Sequence, residues 1–314
     1  MKAVQYPAYR APLEPVALPD PVPSDGQLLL RVLATSVNPV DWKMASGRQR
    51  LVIPATLPHV PGFDVAGEVV GLGAGVTRFA IGDRVHARLR GGEGAACAEL
   101  TVCGADLAVK IPAGADIAEA AGLPLAGMTA LQGLRDRAGM ALSGCTDRIL
   151  IVGASGGVGH LAVQIAKAAG ATVVGVCSAR NAALVAELGA DDVVAYDGPD
   201  PFVGQEPFDI VLDCVGGSPT RWLKLLKPGG RFASTMPGPA VFLHATLNGL
   251  TSKTVRPVML STNGPDLQIL ADLVQYGKLR VVIDSRYRLD DLGKAWERSQ
   301  TGRAVGKIVI DVAT

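Results

Sequence analysis

Three glycines, Gly153, Gly156 and Gly159, recur at every third position in the run Gly153-Ala154-Ser155-Gly156-Gly157-Val158-Gly159. Their spacing suits the binding of phosphate. One glycine lets the chain turn tightly out of a strand, one lets backbone N–H groups approach a pyrophosphate, and one lets the following helix pack closely on a sheet. The phosphates would then meet the positive end of the helix dipole and its unpaired N–H groups. Ser155, Gly156, Gly157 and Val158 are the candidate contacts. A glycine triad by itself is as often a mere turn, so the reading depends on what flanks it.

The flanks are a strand and a helix. Asp147 to Val152 is a short apolar run of the kind buried on both faces of a sheet, and Leu161 to Ala169 has helical apolar spacing that Gly170 stops. A second apolar run, Ala171 to Cys177, follows at once, which completes the first unit of a dinucleotide-binding sheet. An enzyme that uses NAD places an acid at the end of that second strand, on the ribose hydroxyls. Here the strand ends Cys177-Ser178-Ala179-Arg180-Asn181, with no acid and with a hydroxyl and a guanidinium suited to the 2′-phosphate of NADPH. Arg180 has a plainer reading as a solvated residue at a helix start. Cys214 and Val215 follow the fourth strand and are expected beside the nicotinamide, because ligands gather at the carboxyl ends of strands.

The bulk of the chain agrees with an enzyme of this kind and disfavours others. At 314 residues with 48% hydrophobic and 19% charged side chains it has room for two cores, and a net charge of +1 offers no field for nucleic acid. No apolar stretch reaches the roughly 18 residues of a spanning helix, and no signal sequence precedes the strand-like start at Met1, so the chain as given reads as soluble. Cys97, Cys103, Cys145, Cys177 and Cys214 form no C-x-x-C pair and read as free thiols. His59, His86, His160 and His244 are too scattered for a metal cluster.

Around the dinucleotide unit the chain divides into three stretches. Residues 1–120 are rich in proline, glycine and short β-branched runs, which predicts strands wrapped as a barrel, with a short helix started by Asp41. Residues 121–261 alternate strands and helices and predict a doubly wound parallel sheet. Its later elements are a helix over 183–188, strands over 192–195 and 208–213, a helix over 220–226 closed by Pro228-Gly229-Gly230, and strands over 231–235 and 254–260. Residues 262–314 hold amphipathic helices over 266–276 and 289–299 and strands over 281–283 and 307–310, expected to return to the first domain.

Asn38-Pro39-Val40-Asp41, Gly62 to Gly71, Gly82-Asp83-Arg84-Val85, Leu123-Pro124 with Thr129-Ala130, the glycine turn and Gly306-Lys307-Ile308-Val309 follow one another along nearly the whole chain. In this order they resemble the medium-chain dehydrogenase/reductase superfamily, in its zinc-independent quinone oxidoreductase branch. The resemblance implies an α/β fold in two parts, a GroES-like β-rich catalytic domain and a Rossmann cofactor domain. It also implies NADPH-dependent reduction of quinones or of the activated C=C bond of α,β-unsaturated carbonyls such as enones and alkenals. Zinc alcohol dehydrogenases of the superfamily carry Cys, Gly-His-Glu and a further Cys as ligands, where this chain has Asn38, Gly62-Phe63-Asp64 and about Leu125. Those residues build no tetrahedral zinc site, so no metal is expected.

The same resemblance places the Lys of Asn38-Pro39-Val40-Asp41-Trp42-Lys43 near the nicotinamide and the substrate carbonyl, where an ammonium would stabilise the charge that grows on oxygen. Asn38 and Asp41 are expected to shape the cleft, with Asp41 as a helix N-cap. Thr129 is carried over as a catalytic-cleft residue near the nicotinamide ribose, and Tyr196 as an aromatic near the 2′-phosphate. Thr235, Met259, Leu260, Ser261, Arg303 and Ala304 follow as further cleft contacts. Expected partners are a small enone or quinone and, by edge-strand pairing of the cofactor sheet, a second copy of the chain, with a monomer as the alternative. Location follows the same resemblance: cytoplasmic, or associated peripherally with a plastid envelope. A member of the family that binds cofactor with little turnover, in a structural or regulatory role, is the competing function.

Overall fold

A computed structural model describes residues 1–48, 50, 54–90, 95–198, 202 and 204–312. Two compact units emerge, one of residues 1–126, 262–276 and 281–314 and the other of residues 127–261 and 277–280.

The first unit opens with the antiparallel pair β1 (Lys2–Gln5) and β2 (Glu14–Ala17), where Pro15 is tolerated because β2 is an edge strand. Strand β3 (Gln27–Val37) buries Leu28, Leu30, Val32 and Ala34 on one face, the period of two expected of a half-buried strand. After it the chain enters α1 (Pro39–Ala45), with Pro39 at the first helical position, where no N–H is needed. The wall of strands is then built from β4 (Asp64–Leu72), β5 (Arg84–Arg88), β6 (Leu100–Gly104) and β7 (Val109–Lys110). Strand β3 is its hub, pairing with both β4 and β6. Helix α2 (Ile117–Gly122) is capped by the Asp116 carboxylate, which accepts from the Ala118 and Glu119 N–H groups, and α3 (Pro124–Gln132) follows.

The second unit is a parallel sheet. Strand β8 (Arg148–Val152) leads into α4 (Gly159–Ala169), ended by Gly170 in the left-handed conformation. The remaining elements are β9 (Thr172–Cys177), α5 (Ala182–Glu187), β10 (Asp192–Ala195), β11 (Phe208–Asp213), α6 (Thr220–Leu223), β12 (Leu226–Ser234), α7 (Pro239–Thr246) and β13 (Thr254–Pro257). Their order across the sheet is β10-β9-β8-β11-β12-β13, so the winding reverses between β8 and β11. That reversal is the switch point at which such sheets bind nucleotides. Leu150, Val152, Val174, Val211, Phe232 and Val255 share one face of this sheet, and Phe208 belongs to the same apolar cluster.

The chain then returns to the first unit through α8 (Gly264–Gln275), β14 (Ile283–Arg288), α9 (Leu292–Gln300) and β15 (Lys307–Asp311). Strand β15 pairs with β3, and β14 extends the sheet beyond it. Among the described residues no helix is long and apolar enough to cross a membrane.

Four details depart from the sequence-based expectation. The helix at Thr220 ends at Leu223, and Pro228-Gly229-Gly230 does not close it. Instead β12 starts at Leu226 and absorbs those residues in an irregularity between the Phe208↔Leu226 and Ile210↔Arg231 pairs. Strand β13 stops at Pro257, and the Val258 N–H makes the last bond to β12, donating to the Ser234 carbonyl at 2.8 Å. The strand expected over 281–283 begins only at Ile283, the residue that meets Lys307, and runs on to Arg288. Helix α7 was not anticipated, because its sequence, Pro-Ala-Val-Phe-Leu-His-Ala-Thr, is apolar nearly all round and shows no 3.6-residue stripe.

Candidate functional site

In the second unit, the residues that follow the strands gather on the carboxyl edge of one sheet. Gly153 leaves β8 with φ +78°, a conformation that L side chains rarely adopt, and its N–H and that of Ala154 donate to the Val176 carbonyl at 3.0 and 2.9 Å. A Cβ on Gly159 would run into the Gly153 carbonyl, so the helix start can lie this close to the strand end only as glycine. His160 lies just inside α4, and its Nδ1 donates to the Gly156 carbonyl at 2.9 Å, which ties down the turn. Among the described residues the N–H groups of Gly157, Val158 and Gly159 donate to no protein acceptor. These amides at the start of a helix fit a pyrophosphate.

The adenosine side of such a ligand would meet the end of β9. Ser178 is extended and precedes a 3-10 turn over Ala179–Asn181 that carries Arg180 and Asn181. Asn181 Nδ2 donates to Ser155 Oγ at 3.0 Å, joining this turn to the glycine turn. The parallel pairing of β9 with β10 sets Ala195 opposite Cys177, and Tyr196, exposed, donates its N–H to the Cys177 carbonyl at 3.0 Å. The strand end itself lacks an acid, yet the fold brings one in: Asp197 accepts the Ala179 N–H at 2.9 Å.

Further along the edge, Asp213 at the end of β11 is buried and accepts from the Val215 and Gly216 N–H groups at 3.0 Å and from Ser234 Oγ at 3.1 Å. That side chain, which the sequence did not single out, shapes the loop bearing Cys214 and Val215. Burial, with the neighbouring Asp213 charge, pushes the Cys214 thiol above its usual range against an opposing hydrogen bond with Thr235, which disfavours its thiolate form. Thr129 is buried on α3, and one turn on, Gln132 clasps the Met259–Ser261 segment. Its Nε2 donates to the Ser261 carbonyl at 2.7 Å, and its Oε1 accepts the Ser261 N–H at 2.9 Å.

In the first unit, the helix carrying Lys43 is held by a buried polar cluster. Asn38, and not Asp41, stands at the N-cap, while Asp41 lies one turn in and reaches back so that its Oδ2 accepts the Asn38 N–H at 2.6 Å. The sequence reading misplaced the cap because Pro39 sits comfortably inside the first turn. The Asn38 side chain faces inward, its Nδ2 donating to Asp64 Oδ2 at 2.8 Å and its Oδ1 accepting from Lys307 Nζ at 2.6 Å. Burial pushes the Asp41 carboxyl up to about 7, with the Asn38 N–H opposing and the Asp64 charge adding. Lys43 itself is half-buried, its Nζ 5.4 Å from the centre of the Trp42 ring, and burial lowers its ammonium below the usual lysine range. Trp42 Nε1 donates to Ser299 Oγ at 3.1 Å on α9, which ties α1 to the helix preceding Arg303 and Ala304. That loop is pinned by Arg298, whose guanidinium grips Asp284 at 2.6 and 2.9 Å and donates to the Arg303 carbonyl at 3.2 Å.

A zinc ion does not fit here. Asp64 Oδ1 accepts the Leu125 N–H at 2.8 Å, and Oδ2 accepts from Ser36 Oγ at 2.6 Å and from Asn38, with the Lys307 ammonium 3.7 Å away. Asn38, Asp64 and Leu125 do come together, but as a closed hydrogen-bonded set with its own internal cation. Among the described residues no group of three His, Cys, Asp or Glu could hold a metal.

Comparison with known proteins agrees with this geometry. The family described as "Alcohol dehydrogenase GroES-like domain" matches residues 24–129, and that described as "Zinc-binding dehydrogenase" matches residues 188–310. The chain is 41% identical to the chloroplast envelope quinone oxidoreductase homolog of Arabidopsis thaliana, over 99% of its length and 98% of the relative's. It is 34% identical to the 2-methylene-furan-3-one reductase of Solanum lycopersicum, over 94% of its length and 74% of the relative's. The solved quinone oxidoreductase of Coxiella burnetii superposes with a TM-score of 0.89 at 32% identity, over 100% of this chain and 99% of that one. With a strand–glycine-turn–helix unit at the switch point of one unit and a GroES-like wall of strands in the other, the chain belongs to the medium-chain dehydrogenase/reductase superfamily, in its quinone oxidoreductase branch.

Proposed function

We propose that the protein is an NADPH-dependent, zinc-independent reductase of the activated C=C bond of α,β-unsaturated carbonyls, or of quinones. The observation that carries the reading is the Asn181–Ser155 hydrogen bond. It makes one continuous edge of the pyrophosphate turn and of the bay in which Ser178, Arg180 and Tyr196 suit a 2′-phosphate. When bound, the reduced nicotinamide supplies a hydride to the β-carbon of the substrate. Lys43, half-desolvated, stabilises the negative charge that grows on the carbonyl oxygen, and water delivers the α-proton. Asn38 holds the start of the helix that bears Lys43. Thr129, the Cys214–Val215 loop, Thr235 and the Met259–Ser261 segment are assigned to the cofactor on the second unit, and Arg303 and Ala304 are assigned as cofactor contacts of the first.

The names of the two plant relatives support quinones and enones alike, since each asks only for hydride delivery into an apolar site. NADPH consumption with short enones, long enones and quinones tests the reading. Turnover on any of these supports it, and NADPH binding without turnover on all of them would favour a structural or regulatory member of the family.

A homodimer is part of the same proposal. Strand β13 is the outermost strand of the parallel sheet, with its Val255 N–H and carbonyl both bonded to the Asn248 side chain, and beside it α7 and the turn after it expose Phe242, Leu243 and Leu250. A second copy would cover these side chains, and light scattering of the purified chain reports it. The name of the Arabidopsis relative supports a plastid-envelope location, which subcellular fractionation checks.

A further inference from the structure

The bay assigned to the 2′-phosphate contains a carboxylate that the end of β9 does not supply. The pairing that sets Ala195 opposite Cys177 carries Tyr196 and Asp197 alongside Ser178 and Ala179. Asp197 Oδ1 accepts the Ala179 N–H at 2.9 Å, the backbone donor that opens the 3-10 turn bearing Arg180 and Asn181. A phosphate entering this bay would look for such backbone donors and for the Arg180 guanidinium. One donor is already taken, and by a group of the phosphate's own sign.

We propose that Asp197 is a specificity-determining residue: seated on the Ala179 N–H among Ser178, Arg180 and Tyr196, its carboxylate opposes a dianionic 2′-phosphate and tolerates a neutral 2′-hydroxyl. The protein therefore accepts NADH as well as NADPH, with a preference set by the balance of Arg180 against Asp197. This inference rests on the assignment of the bay to the 2′-phosphate. A 2′-phosphate carries close to two negative charges. At the separations of a solvent-facing bay, one fixed carboxylate weakens its binding by about tenfold, an effect that salt reduces. A hydroxyl carries no charge and feels almost none of it.

Asp197→Asn separates charge from structure, because the amide oxygen still accepts the Ala179 N–H while the negative charge is gone. The experiment measures kcat/KM with NADPH and with NADH, and the affinities of 2′,5′-ADP and 5′-AMP, for the wild type, Asp197→Asn and Arg180→Met. The expected result is a rise of about tenfold in the NADPH:NADH ratio and in 2′,5′-ADP affinity for Asp197→Asn, with 5′-AMP affinity moving far less and the gain shrinking in high salt. A ratio that stays or falls in Asp197→Asn, while Arg180→Met loses 2′,5′-ADP affinity, overturns the role of Asp197 and leaves the bay standing. If neither substitution changes 2′,5′-ADP affinity, the assignment of the bay itself is overturned, and the inference with it.

Discussion

Lys307 Nζ, buried at the start of β15, donates to Asn38 Oδ1 at 2.6 Å, so an ammonium near the carboxyl end of the chain holds the cap of the helix that carries Lys43. The same ammonium lies 3.7 Å from Asp64 Oδ2, and both side chains are almost wholly out of water. Burial lowers the Lys307 ammonium below its usual range, with Asp64 and Asp41 opposing.

Removing one member of such a set leaves the other charge buried and unpaired. Lys307→Met is therefore expected to cost about 3–5 kcal/mol in urea unfolding. A loss below about 1 kcal/mol would mean that Asp64 is compensated in another way.

Two buried groups of the first unit should drive stability in opposite directions with pH. His86, whose Nδ1 meets the Ala120 carbonyl at 3.2 Å, is pushed by burial from 6.5 down to about 4. The folded protein keeps this imidazole neutral, so its contribution is complete above pH 6.5 and is lost as pH falls toward 4. Asp41 is pushed by burial from 3.8 up to about 7, so the folded protein prefers its neutral form and loses stability as pH rises through that window. Urea midpoints from pH 4 to 7 should therefore fall with rising pH in His86→Gln and rise in Asp41→Asn. The two variants should diverge by a few kcal/mol, at about 1.4 kcal/mol per unit of displaced pKa. Parallel profiles would contradict the assignment.

Lys43→Met should lower kcat/KM on the best enone by about a hundredfold, the scale of losing one donor to a developing oxyanion. NADPH affinity should change little, and Lys43→Arg should restore part of the loss. Because burial lowers the Lys43 ammonium, the wild-type rate should decline at a pH below that of an ordinary lysine. An unchanged kcat/KM in Lys43→Met would remove this residue from the reaction.

Gly156→Ala probes the pyrophosphate turn without breaking it. Gly156 has no left-handed φ, and an added Cβ would meet only the Gly153 carbonyl, at 3.3 Å. The expected outcome is NADPH affinity lowered about tenfold, by a methyl group placed where the pyrophosphate approaches, with a thermal midpoint near that of the wild type. Undiminished affinity would place the phosphates elsewhere.

Local patterns made much of this architecture readable. The run from Asp147 to Cys177 carries its own punctuation, with Gly153 at the strand exit and Gly170 at the helix end, and the element types there follow from those signals. The alternation of β3 likewise reads directly as a half-buried strand. What stayed hidden depends on contacts between residues far apart in the chain. Lys307 and Asp64 look like ordinary charged residues until β15 pairs with β3 and brings the ammonium beside the start of α1. Asp197 is separated from Ala179 by a helix and a strand, and only the register of β10 on β9 makes it part of the bay. Gln132 shows its clasp on Ser261 only once α3 and the segment after β13 are side by side. Asp213 could have been suspected, as an acid closing an apolar strand just before Cys214-Val215-Gly216.

The most direct test of hydride delivery to an activated double bond uses NADPH deuterated at the transferring position of the nicotinamide, with a short enone as acceptor and mass and NMR analysis of the product. The account predicts a saturated ketone with deuterium on its β-carbon. Deuterium on the former carbonyl carbon, in an alcohol, would contradict it, as would NADPH left unconsumed with every enone and quinone tried.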